Sequence, residues 1–381
     1  MQYRTMGKTG VKVSALGFGC MRLPVKKNRF DSIDETAATT LLRYAIEQGV
    51  NYIDTAYTYH SSSPDRAGNS EPFLGRALSS NLRQSVMIAT KLPGWLVEKR
   101  SDMNRFFNSQ LKRLNTDFID FYLIHGLDGE TWEHLVNIGV CEFFDKLRAE
   151  GKIRFAGFSF HDNYDNFKTI VDGYNWDMCQ IQYNLFDIEN QAGRAGLAYA
   201  AAKGIGVAIM EPLRGGALAN PPPVVQEIWD RASIRRTAAE WALRFVWNSP
   251  EVSIALSGMN QQNQLEENLR IATSALPNTL TSADMSLVDK VRAVYASRIQ
   301  VPCTGCRYCM PCPEGVNIPE IFEIINEASM LGDRTIIEEA LALSAEEEGP
   351  QLCIGCGKCE ELCPQQIPIR HHLNRISNEY A

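Results

Sequence analysis

From Ser14 to Gly258 the chain keeps one beat, a short run rich in β-branched and aromatic residues followed by a stretch of helical periodicity, and this beat limits the fold more than any other feature. The runs are Ser14–Gly19, Asn51–Asp54, Val86–Lys91, Phe118–His125, Ile153–Ser159, Met178–Tyr183, Gly206–Met210 and Val252–Gly258. Helices are expected over Glu35–Gln48, Ser70–Leu78, Ser101–Leu114, Leu135–Glu150, Tyr164–Gly173, Ala192–Lys203 and Thr237–Asn248. Eight β-then-α units over about 270 residues predict a (β/α)8 TIM barrel. A doubly wound open sheet is the other candidate, but no Gly-x-Gly-x-x-Gly fingerprint follows the first strand. Ahead of the barrel, Gly7, Gly10, Gly17 and Gly19 punctuate what reads as a hairpin leading into a strand, Val13–Gly19.

Strand C-termini converge on one mouth in such a barrel, and there the sequence places polar groups of matched chemistry. Asp54 and Tyr59 follow the second strand, Lys91 ends the third and His125 ends the fourth. Each alone reads as an ordinary cap, packed ring, solvated lysine or near-core histidine. Together they make a proton donor aimed at a carbonyl: the ammonium is expected to lower the phenol's pKa, the carboxylate to keep the ammonium charged, and the imidazole to orient the substrate oxygen. The polar segment His60–Asn69 reads as a mobile loop beside the mouth, with His60 placed to touch substrate. Pro221–Pro223 reads as a stiff connection.

Over roughly residues 1–275 the chain resembles the aldo-keto reductases. The resemblance rests on Gly-Lys-Thr-Gly-Val-Lys-Val-Ser at 7–14, DTAYTY at 54–59, Ser70-Glu71 with Leu74-Gly75-Arg76-Ala77-Leu78, ATK at 89–91, DFYLIH at 120–125, GFSFH at 157–161, QIQYN at 180–184, and Glu267-Asn268. It implies that Tyr59 is the general acid, tuned by Lys91 and Asp54, that His125 orients the substrate, and that a nicotinamide cofactor exchanges hydride with a small carbonyl or alcohol. It also implies cofactor contacts from Gly19, Met21, Ser159, Gln180, Met210, Pro212, Leu213, Gly215, Ser257, Gly258, Gln264, Glu267 and Asn268, with Ser159 and Gln180 on the carboxamide. Met210 stands where the family stacks an aromatic ring on the nicotinamide. Gly258 and Gln264 stand where NADP-using members place cations against the 2'-phosphate, so NAD(H) is expected over NADP(H). The rival expectation is a redox sensor that binds nicotinamide without turnover.

Eight of the eleven cysteines lie in two tight runs after the barrel, Cys303, Cys306, Cys309 and Cys312, then Cys353, Cys356, Cys359 and Cys363. The second run fits the C-x2-C-x2-C-x3-C-P pattern of bacterial ferredoxins; the first is one residue shorter. Zinc is the alternative for such thiols, although zinc ribbons favour separated pairs. The segment resembles helical two-cluster ferredoxin modules, with Ile318–Asn326 and Arg334–Glu346 as its helical insert, broken at Gly332. The resemblance implies two 4Fe-4S clusters, one on Cys303, Cys306, Cys309 and Cys363, the other on Cys353, Cys356, Cys359 and Cys312.

The expected organisation is therefore a barrel at 1–275, a linking helix within 276–298, seen as Ser282–Arg298, and a small, mainly helical ferredoxin-like domain at 299–381. A formal net charge of -7 argues against nucleic acid, and no apolar run is long enough to cross a bilayer. With no apolar leader at Met1, a cytoplasmic location is expected. Nicotinamide releases two electrons together whereas each cluster carries one. A flavin would split the pair, but no fingerprint for one is visible; the clusters support the fold, receive electrons from a redox partner protein, or work with an unrecognised cofactor in the barrel.

Overall fold

The computed structural model describes residues 1–381 except 28, 64, 79, 304, 306–308, 334, 339–347, 364 and 381, and the side chain of Ser80. The described chain forms two compact units, residues 1–219 with 236–281, and residues 220–235 with 282–381.

In the first unit the eight expected runs close into a parallel barrel. Its strands are β3 (Leu16–Gly19), β4 (Tyr52–Asp54), β5 (Met87–Pro93), β6 (Ile119–Leu127), β7 (Ile153–Phe160), β8 (Met178–Gln182), β9 (Gly206–Met210) and β10 (Val252–Ser257). They follow one another in chain order, and β10 closes on β3 with Ser257 opposite Phe18. The expected strand Val13–Gly19 is divided. Its front, β2 (Lys12–Ser14), folds back antiparallel on β1 (Tyr3–Thr5), and only β3 enters the barrel. The hairpin lies against the N-terminal end of the barrel, where Gly7 has φ +48° and a β-carbon would collide with the backbone of Gly204–Gly206.

The helices follow the sequence pattern with one correction. Glu35–Glu47 starts on the Asp34 side chain, which accepts from the Ala37 N–H, and Ala238–Asn248 starts on Thr237, which accepts from the Glu240 N–H. The helix expected over Leu135–Glu150 is two helices, Gly129–Asn137 and Val140–Ala149. Gly139 between them has φ +86°, and the Arg100 guanidinium occupies the space a β-carbon would need. Apolar spacing continues through the break, so periodicity alone reads one helix.

The barrel interior obeys a period of two. Tyr52, Ala89, Leu123, Met178 and Ala208 belong to one buried apolar cluster together with Met6, Phe121 and Ile254. Residues two positions further along the same strands must point inward one layer higher. Those residues are Asp54, Lys91, His125, Gln180 and Met210.

The second unit is mainly helical, with Pro223–Trp229, Ser282–Ser297, Ile318–Leu331, Lys358–Leu362 and Ile369–Tyr380. Pro223 opens its helix at a position where a missing N–H costs nothing. Val301, Val316, Ile318, Ile321, Phe322, Ile325, Leu373 and Ile376 form the core. Ile318–Leu331 stops at Gly332, φ +71°, where the break is expected. Of the expected helix Arg334–Glu346, residues 335–338 are helical; 334 and 339–346 lie outside the described residues. Among the described residues no helix is long and apolar enough to cross a membrane.

Candidate active site

Lys91 sits at the centre of the polar layer. It is wholly buried, and its ammonium reaches Asp54 Oδ1 at 2.8 Å, the Thr55 carbonyl at 2.8 Å and the Tyr59 hydroxyl oxygen at 3.3 Å. All three N–H bonds are therefore engaged. Burial pulls the Lys91 pKa down, but Asp54 and Tyr59 more than offset it, and the net shift is upward. Burial raises the Tyr59 phenol; Lys91 opposes that rise, Asp54 adds to it, and the net shift is upward as well. The expectation of a lowered phenol counted the ammonium without the desolvation. At neutral pH the site thus holds a charged ammonium beside a protonated phenol, which is the state a proton donor requires.

His125 completes the group. Its ring centroid lies 5.7 Å from that of Tyr59 and 5.1 Å from that of Trp95. Burial, then the charge of Lys91, then His161 push its pKa well below the ordinary histidine value, so it is a neutral imidazole. Its buried Nδ1 has no hydrogen-bond partner among the described residues.

Beside this group Gln180 donates from Nε2 to Asp54 Oδ2 at 2.9 Å, while its buried Oε1 has no partner among the described residues. Across the β7–β8 ladder Ser159 Oγ accepts from the Gly126 N–H at 2.8 Å and keeps its own proton to donate. A buried acceptor next to a hydroxyl donor is what a primary carboxamide needs on its NH2 and C=O sides. The donor set therefore fits nicotinamide.

The remaining expected cofactor residues lie at the C-terminal ends of β3, β9 and β10 and on the segments that follow them. Met210 ends β9, and Pro212, Leu213 and Gly215 follow in a strap whose Gly215 and Gly216 have φ of +69° and +107°. Gly19 approaches Ser257 so closely that a β-carbon would sit 3.3 Å from the Ser257 carbonyl oxygen. Ser257 Oγ accepts from Asn268 Nδ2 at 3.1 Å. Gln264 Oε1 accepts from the Asn260 N–H at 3.1 Å within its own loop, and Glu267 accepts at 2.7 Å from the hydroxyl of Thr237, which opens the Ala238–Asn248 helix. Met21 is exposed.

Two features escaped the sequence reading. Arg22 packs its stem on Gly258 and donates to the Gly215 carbonyl at 2.8 Å, bridging the strap and the β10 loop. Behind Lys91, the fully buried Glu71 accepts from Thr90 Oγ1 at 2.6 Å, Gln110 Nε2 at 2.7 Å and Arg113 Nε at 2.8 Å. Gln110 also donates to the Lys91 carbonyl at 3.0 Å, and Arg113 to the Gly68 carbonyl. His60, expected at the mouth, is instead completely buried.

In the second unit, Cys309, Cys312, Cys353, Cys356 and Cys359 line one cavity of about 110 Å3, with Ile354, Leu362 and Leu373 among its apolar walls. The cavity joins the two cysteine runs: Cys353, Cys356 and Cys359 of the second share it with Cys309 and Cys312 of the first. Cys303 and Cys363 pack against the apolar core, and Cys306 lies outside the described residues. Among the described residues no three Cys, His, Asp or Glu side chains converge on a single-ion point. Gly355 and Gly357, both at positive φ, let the backbone turn tightly around the thiols. A thiol-rich, apolar-walled cavity fits a sulfur-ligated cluster.

Comparison with known proteins agrees with both units. Residues 15–293 match the Aldo/keto reductase family and residues 302–367 the 4Fe-4S dicluster domain. The oxidoreductase YqkF of Bacillus subtilis is 27% identical over 304 residues, covering 72% of this chain and 92% of that protein. L-galactose dehydrogenase of Arabidopsis thaliana is 26% identical over 293 residues, covering 72% and 88%. The holo structure of aldo-keto reductase AKR11C1 from Bacillus halodurans superposes with a TM-score of 0.63 at 26% identity, covering 76% of this chain and 96% of that one. The barrel, its polar layer and the match over most of its length place the chain in the aldo/keto reductase family, with a 4Fe-4S dicluster domain at its C-terminal side.

Proposed function

We propose that the barrel catalyses reversible hydride transfer between a nicotinamide cofactor and a small carbonyl or alcohol, with Tyr59 as the acid. The observation that carries this reading is the Asp54–Lys91–Tyr59 chain of contacts with the unpartnered Gln180 Oε1 beside it. Ser159 and Gln180 would hold a reduced nicotinamide by its carboxamide, and that group would supply the hydride. Tyr59 gives its O–H proton to the carbonyl oxygen, and Lys91 stabilises the phenolate left behind until solvent restores the proton. Neutral His125 holds the substrate oxygen without competing to give up a proton. In the other direction the Tyr59 phenolate takes the alcohol proton. A relative named as a dehydrogenase supports that direction. Tyr59→Phe is expected to lower kcat/KM by about two to four orders of magnitude while cofactor binding is kept. Wild-type protein that binds nicotinamide but turns over no carbonyl or alcohol would favour the sensor instead.

NAD(H) is the preferred cofactor in this reading. Gly258 offers no side chain, Gln264 is engaged with Asn260, and the Arg22 guanidinium is directed to the strap carbonyl of Gly215. Equal affinities for NADH and NADPH would remove the preference. Two 4Fe-4S clusters are assigned to the cysteine runs, Cys303, Cys306, Cys309 and Cys363 holding one, and Cys353, Cys356, Cys359 and Cys312 the other. The cavity that Cys309 and Cys312 share with Cys353, Cys356 and Cys359 supports a cluster held by both runs. About eight irons per chain are expected, and about four would refute it. The clusters then exchange single electrons with a redox partner protein or serve to hold the fold; bleaching of their visible absorbance by NADH under anaerobic conditions distinguishes electron exchange.

A further inference from the structure

His60 directly follows the proposed acid, yet it faces away from the mouth. It has φ +59°, a conformation that costs histidine less than most residues, and its ring is completely buried. Nδ1 lies 2.6 Å from the Phe30 carbonyl oxygen, so that nitrogen carries the proton. Nε2 accepts from the Leu23 N–H at 3.2 Å, and the ring stacks on Phe30 with centroids 4.6 Å apart. The imidazole thus spends both nitrogens and one face on the segment between Cys20 and Ile33.

That segment bears on the cofactor side of the mouth. It opens with the turn Cys20–Arg22, which carries Met21 and the strap-bridging Arg22, and continues as a small hairpin closed by the Val25–Ile33 bridge. A second tie, from Asn69 Nδ2 to the Asp31 carbonyl at 2.7 Å, starts from the far end of the Tyr59 loop. The Leu23 N–H belongs to a buried residue, and among the described residues no other acceptor is paired with it.

We propose that His60 is a positioning residue that couples the Tyr59 loop to the Cys20–Ile33 segment, so that the acid and the turn carrying Met21 and the strap-bridging Arg22 are held as one unit. The inference deepens the hydride-transfer reading and rests on it for its catalytic consequence. Moving either side without the other changes the distance between the proton donor and the hydride donor, and misplacement on the scale of an ångström costs such a reaction heavily.

Three full-length, cluster-loaded proteins test it: wild type, His60→Ala and His60→Asn. Asparagine suits the positive φ and keeps a donor for the Phe30 carbonyl. His60→Ala is expected to weaken NADH binding about tenfold and to lower kcat by a similar factor, with His60→Asn recovering part of both. Hydrogen exchange is expected to accelerate in residues 20–33 and 57–69 together in the alanine variant. A merely structural role lowers the folded fraction and leaves the affinity of the folded protein unchanged. An unchanged NADH affinity, or faster exchange confined to one of the two segments, would overturn the proposal. If wild-type protein binds neither NADH nor NADPH, the hydride-transfer reading fails, and the exchange measurement alone decides whether His60 couples the segments.

Discussion

Removing the ammonium of Lys91 gives the sharpest separation of stability from chemistry in this molecule. Lys91 and Asp54 are 2.8 Å apart with side-chain exposures of 0% and 4%, so neither charge is screened by water. Lys91→Met leaves a similar volume but strands the Asp54 carboxylate, and breaking a buried pair from one side costs roughly 3–5 kcal/mol. At about 2–4 °C per kcal/mol for a domain of this size, the barrel transition falls by roughly 6–20 °C. Asp54→Asn in the same protein removes the stranded charge while Gln180 Nε2 keeps an oxygen to donate to. The double variant is therefore expected to be more stable than Lys91→Met alone, with a coupling of roughly 1–3 kcal/mol. Activity is expected to behave oppositely. Neither variant has an ammonium to support the Tyr59 phenolate, so kcat/KM stays down by about two to four orders of magnitude in both. Differential scanning calorimetry on the four corners of the cycle, with carbonyl reduction assayed on the same samples, measures both. Additive losses of stability, or turnover restored in the double variant, would refute the account of Lys91 as a buried charge whose two partners divide its structural and chemical roles.

His125 has a folded pKa depressed well below 6.5, so the unfolded chain takes up its proton first. Its contribution is fully favourable above about pH 6.5 and is lost as the pH falls below that value; His125→Gln should flatten the stability-against-pH curve on the acid side, and an unchanged slope would contradict a neutral buried imidazole. Glu71→Gln takes the ion pair from Arg113 and is expected to cost about 1–3 kcal/mol, seen by urea denaturation. The same substitution should speed hydrogen exchange around Gly68, which Arg113 braces. Anaerobic removal of iron with a chelator is expected to melt the helices of the second unit while the barrel transition keeps its midpoint, because the cysteines pack against the core of that unit and metal binding there is folding free energy. Circular dichroism that loses no helix on chelation would count against a folding role.

How much of this was legible beforehand depends on whether a signal is local. Strand period and strand number are local, and Asp54, Lys91, His125 and Gln180 could be read because each lies two residues beyond an apolar inward-facing neighbour. The helix break at Gly139 was not legible, since apolar spacing runs through it and the reason for the turn, Arg100 filling the space beside the glycine, comes from another helix. Arg22 and Glu71 had the same difficulty: their partners Gly215 and Gln110 are remote in sequence. His60 was placed at the mouth because its neighbour Tyr59 is there; a positive φ at His60 turned the side chain inward, and nothing in the adjacent residues announces it. The direction of the Tyr59 shift required knowing the depth of burial as well as the identity of the nearby cation.

The cavity that gathers Cys309 and Cys312 with Cys353, Cys356 and Cys359 carries an implication for synthesis. A thiol set drawn from both ends of an intervening helix, Ile318–Leu331, does not exist until the later run has left the ribosome. At about 5–20 residues per second the barrel has emerged whole and had seconds to fold before that moment. Loading of iron and sulfur is thereby timed as a closing event, and translation that stops inside the intervening helix yields a finished barrel attached to thiols with no cluster to hold.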